Sequence, residues 1–135
     1  MIIDLASYKH FYDLPVYKTC RSFRKEVSAL VKTSFPKEEK YLLAAQLTDA
    51  ARSVTANIAE GFGRFHYQEN IQFCRQSRGS LSETMEHLIT AYDENYIDKQ
   101  TLISFNKKYK QCLKEINGYI KYLKTAKAKP IINNE

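Results

Sequence analysis

Glycine and proline are scarce in this chain, at 4 and 3 residues of 135. That scarcity excludes a β-sandwich, which needs a turn every roughly 8 to 12 residues, and predicts a few long elements instead. Cysteine is limited to Cys20, Cys74 and Cys112, odd in number and far apart, with no C-x-x-C pair. Neither a disulfide framework nor a zinc site fits that spacing, and reduced, buried thiols are the expectation. No apolar run approaches the roughly 20 residues of a membrane span. The first residues, Met1 to Leu5, carry Asp4 where a signal peptide wants positive charge. A cytoplasmic protein with no membrane partner is expected.

What is present is an ordinary complement for one globular domain spanning 1–135, with 44% apolar and 27% charged residues. A chain of this length buries a core without metal or disulfide support. Four stretches repeat their apolar residues at helical spacing, and each predicts an α-helix. The first covers about 14–33, with Asp13 as N-cap, Pro15 in its first turn, and Val16, Cys20, Phe23, Val27 and Leu30 on one stripe. The second covers 37–60, placing Glu38 and Glu39 near its positive end and Ala44, Leu47, Ala51, Val54 and Ile58 on its buried face. Gly61 and Gly63 are expected to stop it through a left-handed closure.

The third helix, about 67–94, has the longest stripe: Tyr67, Ile71, Cys74, Arg78, Leu81, Met85, Leu88 and Tyr92. Asp98 is the expected N-cap of the fourth, 98–126, whose seam is Leu102, Phe105, Tyr109, Cys112, Ile116, Tyr119 and Leu123, widened by Leu113 and Ile120. The segment before Tyr12 is read as extended and the tail 127–135 as frayed. Short connections between long helices predict an all-α, up-down-up-down antiparallel four-helix bundle. The seven-residue repeat favours shallow crossing angles.

Certain runs are more specific than periodicity. Asn57-Ile58-Ala59-Glu60-Gly61-Phe62-Gly63-Arg64 closes the second helix, Phe35-Pro36-Lys37 precedes it, and Arg78-Gly79-Ser80-Leu81 lies in the third. With Asp13-Leu14-Pro15-Val16-Tyr17-Lys18 at the start, the chain resembles the 23S rRNA intervening-sequence proteins over nearly its whole length. Such proteins are encoded in insertions within bacterial large-subunit ribosomal RNA genes and as free-standing genes. Related bundles are accessory proteins of diversity-generating retroelements. The resemblance implies a homopentameric ring with a basic surface and, for the retroelement relatives, contact with a reverse transcriptase and nucleic acid. Thr48-Asp49 stands where many members carry an Arg-Arg pair, which removes positive charge from that part of the second helix. His66 replaces a frequent serine cap.

Charge is unevenly placed. Residues 1–98 hold 12 Lys and Arg against 13 Asp and Glu, whereas residues 99–129 hold 9 Lys against Glu115 alone. Lys107, Lys110, Lys114, Lys121 and Lys124 project opposite the apolar seam as a column about 25 Å long, suited to a phosphate backbone of RNA or DNA. Tyr122 offers a stacking face. The plainer reading is a solvated lysine face.

Arg78 on an apolar stripe and Glu60 at a helix end are the oddest charges. They are expected to pair, with Arg64 or Arg52 as other partners for Glu60. Burial would make that pair a register-fixing contact whose loss costs about 3 to 5 kcal/mol. An anion site on Arg64 and Arg78 is the alternative. Asn57 and Ser80 are expected as polar contacts inside the bundle, and Gly79 as a point of close helix approach. No base stands beside a nucleophile, and His10, His66 and His87 are dispersed, so no catalytic, metal or cofactor site is expected. The chain reads as a non-enzymatic oligomer binding nucleic acid. The rival is a scaffold that docks a protein partner such as a polymerase.

Overall fold

The computed structural model describes residues 8–128, and among these there are four α-helices and no strand. They are α1 (Pro15–Ser34), α2 (Leu43–Phe62), α3 (Tyr67–Asp93) and α4 (Lys99–Ala128), packed against each other around one main core. Every apolar residue expected on the buried face of α2 is buried. Val16, Cys20, Phe23 and Val27 are buried on α1, and Phe105, Cys112, Ile116, Tyr119, Ile120 and Leu123 on α4. Each fully buried Leu, Ile or Phe contributes about 1.5 to 3 kcal/mol, so these stripes are what holds the helices together.

The ends differ from the sequence reading in instructive ways. Asp13 lies in a short 3-10 turn, Phe11–Asp13, and the N-cap of α1 is Leu14, with Pro15 in the first turn as expected. Lys37–Glu39 forms another 3-10 turn, and the φ and ψ of Leu42 (−115°, −110°), neither helical nor extended, delay α2 to Leu43. Glu39 still serves the positive end of α2, its Oε1 accepting from the Leu43 amide at 3.2 Å. Its Oε2 accepts from the Tyr96 hydroxyl at 2.7 Å, which pushes the phenol up to about 12. The structure thus ties the entrance of α2 to the α3–α4 link. Asp98 caps α4 as expected, accepting from the Thr101 amide at 2.8 Å. α4 continues through Ala128, so Lys127 is helical rather than frayed; the rest of the expected tail and the first seven residues lie outside the described chain.

The end of α2 corrects the expected left-handed glycine. Neither Gly61 nor Gly63 has positive φ. Gly61 is buried within the helix, where an added Cβ would lie 2.7 Å from Asn70 Oδ1 and 2.9 Å from Phe73 Cβ. Its role is the close approach of α3. The left-handed closure belongs instead to Asn95 (φ 64°), after which the Tyr96 amide returns to the Ala91 carbonyl at 2.9 Å and closes α3. Gly79 faces open space, contrary to its expected packing role.

α3 also shows why Arg78 is not a core residue. The buried positions run Ile71, Cys74, Ser77, Leu81, so Ser77 occupies the place assigned to Arg78 on the stripe. Steps of three and four satisfy helical spacing equally, and the smaller side chain faces inward. Its hydroxyl donates to the Val54 carbonyl on α2 at 2.7 Å, which removes the cost of burying it. Every buried side-chain nitrogen and oxygen among the described residues has a partner. Asn70 Nδ2 donates to the hydroxyl of buried Tyr119 at 3.2 Å, joining α3 to α4. The three thiols are free and buried. Burial raises Cys74 to about 12, and a hydrogen bond with Cys112, then burial, raises Cys20, so neither is a nucleophile at neutral pH.

Two tests follow from this packing. Gly61→Ala should lower stability in urea unfolding, because overpacking costs about 1 to 3 kcal/mol and outweighs the roughly 1 kcal/mol that alanine gains in a helix. Gly79→Ala, in open space, should raise it by about 0.5 to 1 kcal/mol. Responses of the same sign would contradict the packing argument. The hydrogen bonds from Thr101 hold the Asp98 carboxyl below the ordinary aspartate value of 3.8. A depressed pKa in the folded state contributes stability above the unfolded value and loses it as pH falls through the folded one. Asp98→Ala should therefore lower the melting temperature at pH 6, with the difference from wild type shrinking once the pH falls below about 3.8.

Candidate nucleic-acid interface

α4 carries its cations on the side turned away from the seam. Lys107, Lys110, Lys114, Lys121 and Lys124 are all exposed, and among the described residues none has a carboxylate within 4.0 Å. Lys108 is different: its ammonium pairs with Glu26 of α1 and lies over the Phe105 ring, 5.6 Å from the centroid. Glu115, the one acid of α4, accepts from Thr19 of α1 at 2.7 Å and from Gln111 at 3.0 Å. Glu26 and Glu115 are thus engaged by groups other than the five lysines. The five-lysine face is left a one-sign surface in water, where its field attracts anions and weakens with salt.

The expected polar network separates into four parts. Glu60 pairs with Arg64 at 3.1 Å, and Arg64 reaches Glu69 of α3 at 3.8 Å while its guanidinium lies 4.8 Å from the Phe73 ring centroid. These groups are about half exposed, so the pairs are worth about 0 to 1 kcal/mol each. Arg78 does not meet Glu60. It donates to Asn117 Oδ1 of α4 at 2.8 Å from a half-buried position. The buried register pair expected between them is replaced by surface contacts, because neither charge faces the core.

Asn57 and Ser80 are joined through Ser53, a residue that sequence reasoning passed over. Asn57 Nδ2 donates to the Ser53 carbonyl and hydroxyl at 2.9 and 3.0 Å, and Ser80 donates to the Ser53 hydroxyl at 2.8 Å. This half-buried trio holds α2 to α3. Its signal in the sequence was only the four-residue step from Ser53 to Asn57. The arrangement has no general base and no exposed nucleophile, so its chemistry is that of a structural clasp.

Arg52 is exposed and lines a cleft of about 400 Å³ with Arg24, Lys25, Ser28 and Thr48. Arg24 is positioned there by Thr55, whose buried hydroxyl accepts from Nη1 at 2.8 Å. A second cleft, about 390 Å³, lies between α3 and α4 and is lined by Gln68, Ile71, Arg75, Lys124 and Lys127. It extends the lysine face with two cations, Arg75 and Lys127, that periodicity alone did not single out. Among the described residues no three His, Cys, Asp or Glu side chains gather to hold a metal, and no helix is long and apolar enough to cross a membrane.

Comparison with known proteins adds one family and one fold. No curated protein matches the chain. A crystal structure of a protein of unknown function from the S23 ribosomal protein family of Bacteroides thetaiotaomicron is similar in fold, with a TM-score of 0.72 and 20% identity. The match covers 78% of this chain and 98% of that one. The family model described as 23S rRNA-intervening sequence protein matches residues 12–118, from the turn before α1 through the first two thirds of α4. Over that span lie the Asn57-to-Gly61 run, the Ser53 clasp and the capped start of α4, and on this match the chain belongs to the 23S rRNA-intervening sequence protein family.

Proposed function

We propose that this chain is a non-enzymatic, cytoplasmic, homo-oligomeric bundle that binds RNA or DNA without base-specific readout through Lys107, Lys110, Lys114, Lys121 and Lys124. The observation that carries the reading is the exposure of all five ammonium groups on one helix face, with the nearby acids occupied elsewhere. Ammonium groups spaced along about 25 Å of helix match a phosphodiester backbone, and contacts to phosphate position a ligand without reading its bases.

In the same reading the helices run up-down-up-down and antiparallel. Partner numbers support this: Thr19 meets Glu115 and Glu26 meets Lys108, while Ser53 meets Ser80 and Gly61 approaches Asn70. Membership in the family favours a ring of five. Exposed apolar side chains at the entrance of α2, Tyr41 at 81% and Leu42 at 60%, favour contact between copies or with a protein partner such as a reverse transcriptase.

Changing the five lysines to glutamine should cut affinity for generic RNA or duplex DNA at least tenfold at about 0.1 M salt. It should also flatten the log–log salt slope by about 3 to 5. Equal binding by wild type and variant in an anisotropy titration ends this reading. Light scattering of the purified chain should give a multiple of 15.7 kDa, and a monomer at micromolar concentration removes the ring.

A further inference from the structure

The turn from α2 into α3 leaves aromatic rings in water. Phe65 is 69% exposed and Tyr67 37%. Phe65 meets the His66 ring edge to face, 5.0 Å between centroids. The same segment leads directly into the cleft between α3 and α4. Gln68, Ile71 and Arg75 follow at steps of three and four along one face of α3, with Lys124 and Lys127 opposite. Lys127 donates to Gln68, which brings the end of α4 against the start of α3, one residue along the chain from Tyr67 and three from Phe65. No carboxylate lines the cleft. The neighbouring cation on the turn, Arg64, is occupied by Glu60 and Glu69. Lys124 belongs both to the cleft and to the lysine column, so the two surfaces are continuous.

A line of ammonium groups serves any nucleic acid, because single strands and duplexes both present phosphates. Exposed aromatic rings do not. In a duplex the faces of the bases are covered by their neighbours, whereas an unpaired strand has base faces free to stack on a side chain. A cation-walled cleft ending beside two exposed rings matches a strand whose backbone enters the cleft while a base lies on a ring. The same rings would face the edge of a duplex with nothing to stack on.

We propose that the Arg75–Lys124–Lys127 cleft and the adjoining Phe65 and Tyr67 rings form a subsite for single-stranded nucleic acid. The proposal rests on the reading that the α4 lysines bind nucleic acid. It makes the unpaired strand the preferred ligand and Phe65 the residue that sets the preference. The contact is sequence-tolerant, since every base has a face to stack.

The test is anisotropy titration of the full chain with a labelled single strand of about 20 nucleotides and with the duplex of equal length. Wild type is expected to bind the single strand about tenfold more tightly than the duplex. Phe65→Ala should remove that advantage and leave duplex affinity unchanged, and Arg75→Gln with Lys127→Gln should weaken the single strand more than the duplex. The chain has no tryptophan, so Phe65→Trp places a lone indole at the subsite. Its emission should be quenched by the single strand and not by the duplex. Equal affinity for both ligands, or an unquenched indole, overturns the subsite; if the five-lysine variant still loses binding, the broader nucleic-acid reading stands. Absence of binding to either ligand overturns both. A Phe65→Ala variant that changes the mass by light scattering but not strand affinity assigns the ring to a contact between copies, and also overturns the proposal.

Discussion

The close approach of α2 and α3 is the constraint on which the other features rest. Gly61 leaves no room for a side chain against Asn70 and Phe73, Ser77 bonds the Val54 carbonyl, and Ser53 is shared by Asn57 and Ser80. Small residues let two backbones come near, and the hydroxyls satisfy polar groups that such proximity would otherwise strand. With α2 and α3 held in this way, Asn70 is placed to meet Tyr119, and through that contact α4 is set against the pair. The Asn57-to-Gly61 run therefore serves the packing of α2 against α3.

Orientation of α4 decides the electrostatics. The helix is anchored from inside by Phe105, Cys112, Ile116, Tyr119 and Leu123, and along its flank by Glu115 with Thr19 and Lys108 with Glu26. These flank contacts use the acids that would otherwise lie near the outward lysines. The result is a surface whose positive charge is uncompensated because its potential partners are held elsewhere. An exposed column of this kind gains little stability for the fold.

Much of this was legible in the residue order. The apolar stripes of α1, α2 and α4, the Asp98 cap, the lysine face and the reduced thiols follow from spacing and composition, since helical periodicity depends only on local geometry. The misreadings have a common cause. Arg78 and Ser77 both satisfy steps of three or four, Gly61 and Gly79 look alike as glycines, and Glu60 has several cations within reach in the sequence. Only the neighbours across the helix interface distinguish them. The same holds for the cleft between α3 and α4, where Arg75 and Lys124 are 49 positions apart and local pattern carries no information about their proximity.

The sequence alone determined that the chain is helical, how many long helices the described residues form, which faces are apolar, and where the positive charge accumulates. Those properties are sums over local choices of residue, and short-range geometry settles them. The tertiary structure decided which polar groups meet, that Gly61 is a contact rather than a stop, that Arg78 faces Asn117, and that cations of α3 and α4 share one cleft. Such facts depend on the rotation and height at which one helix settles on another. Those are fixed only when all the buried faces are fitted together at once.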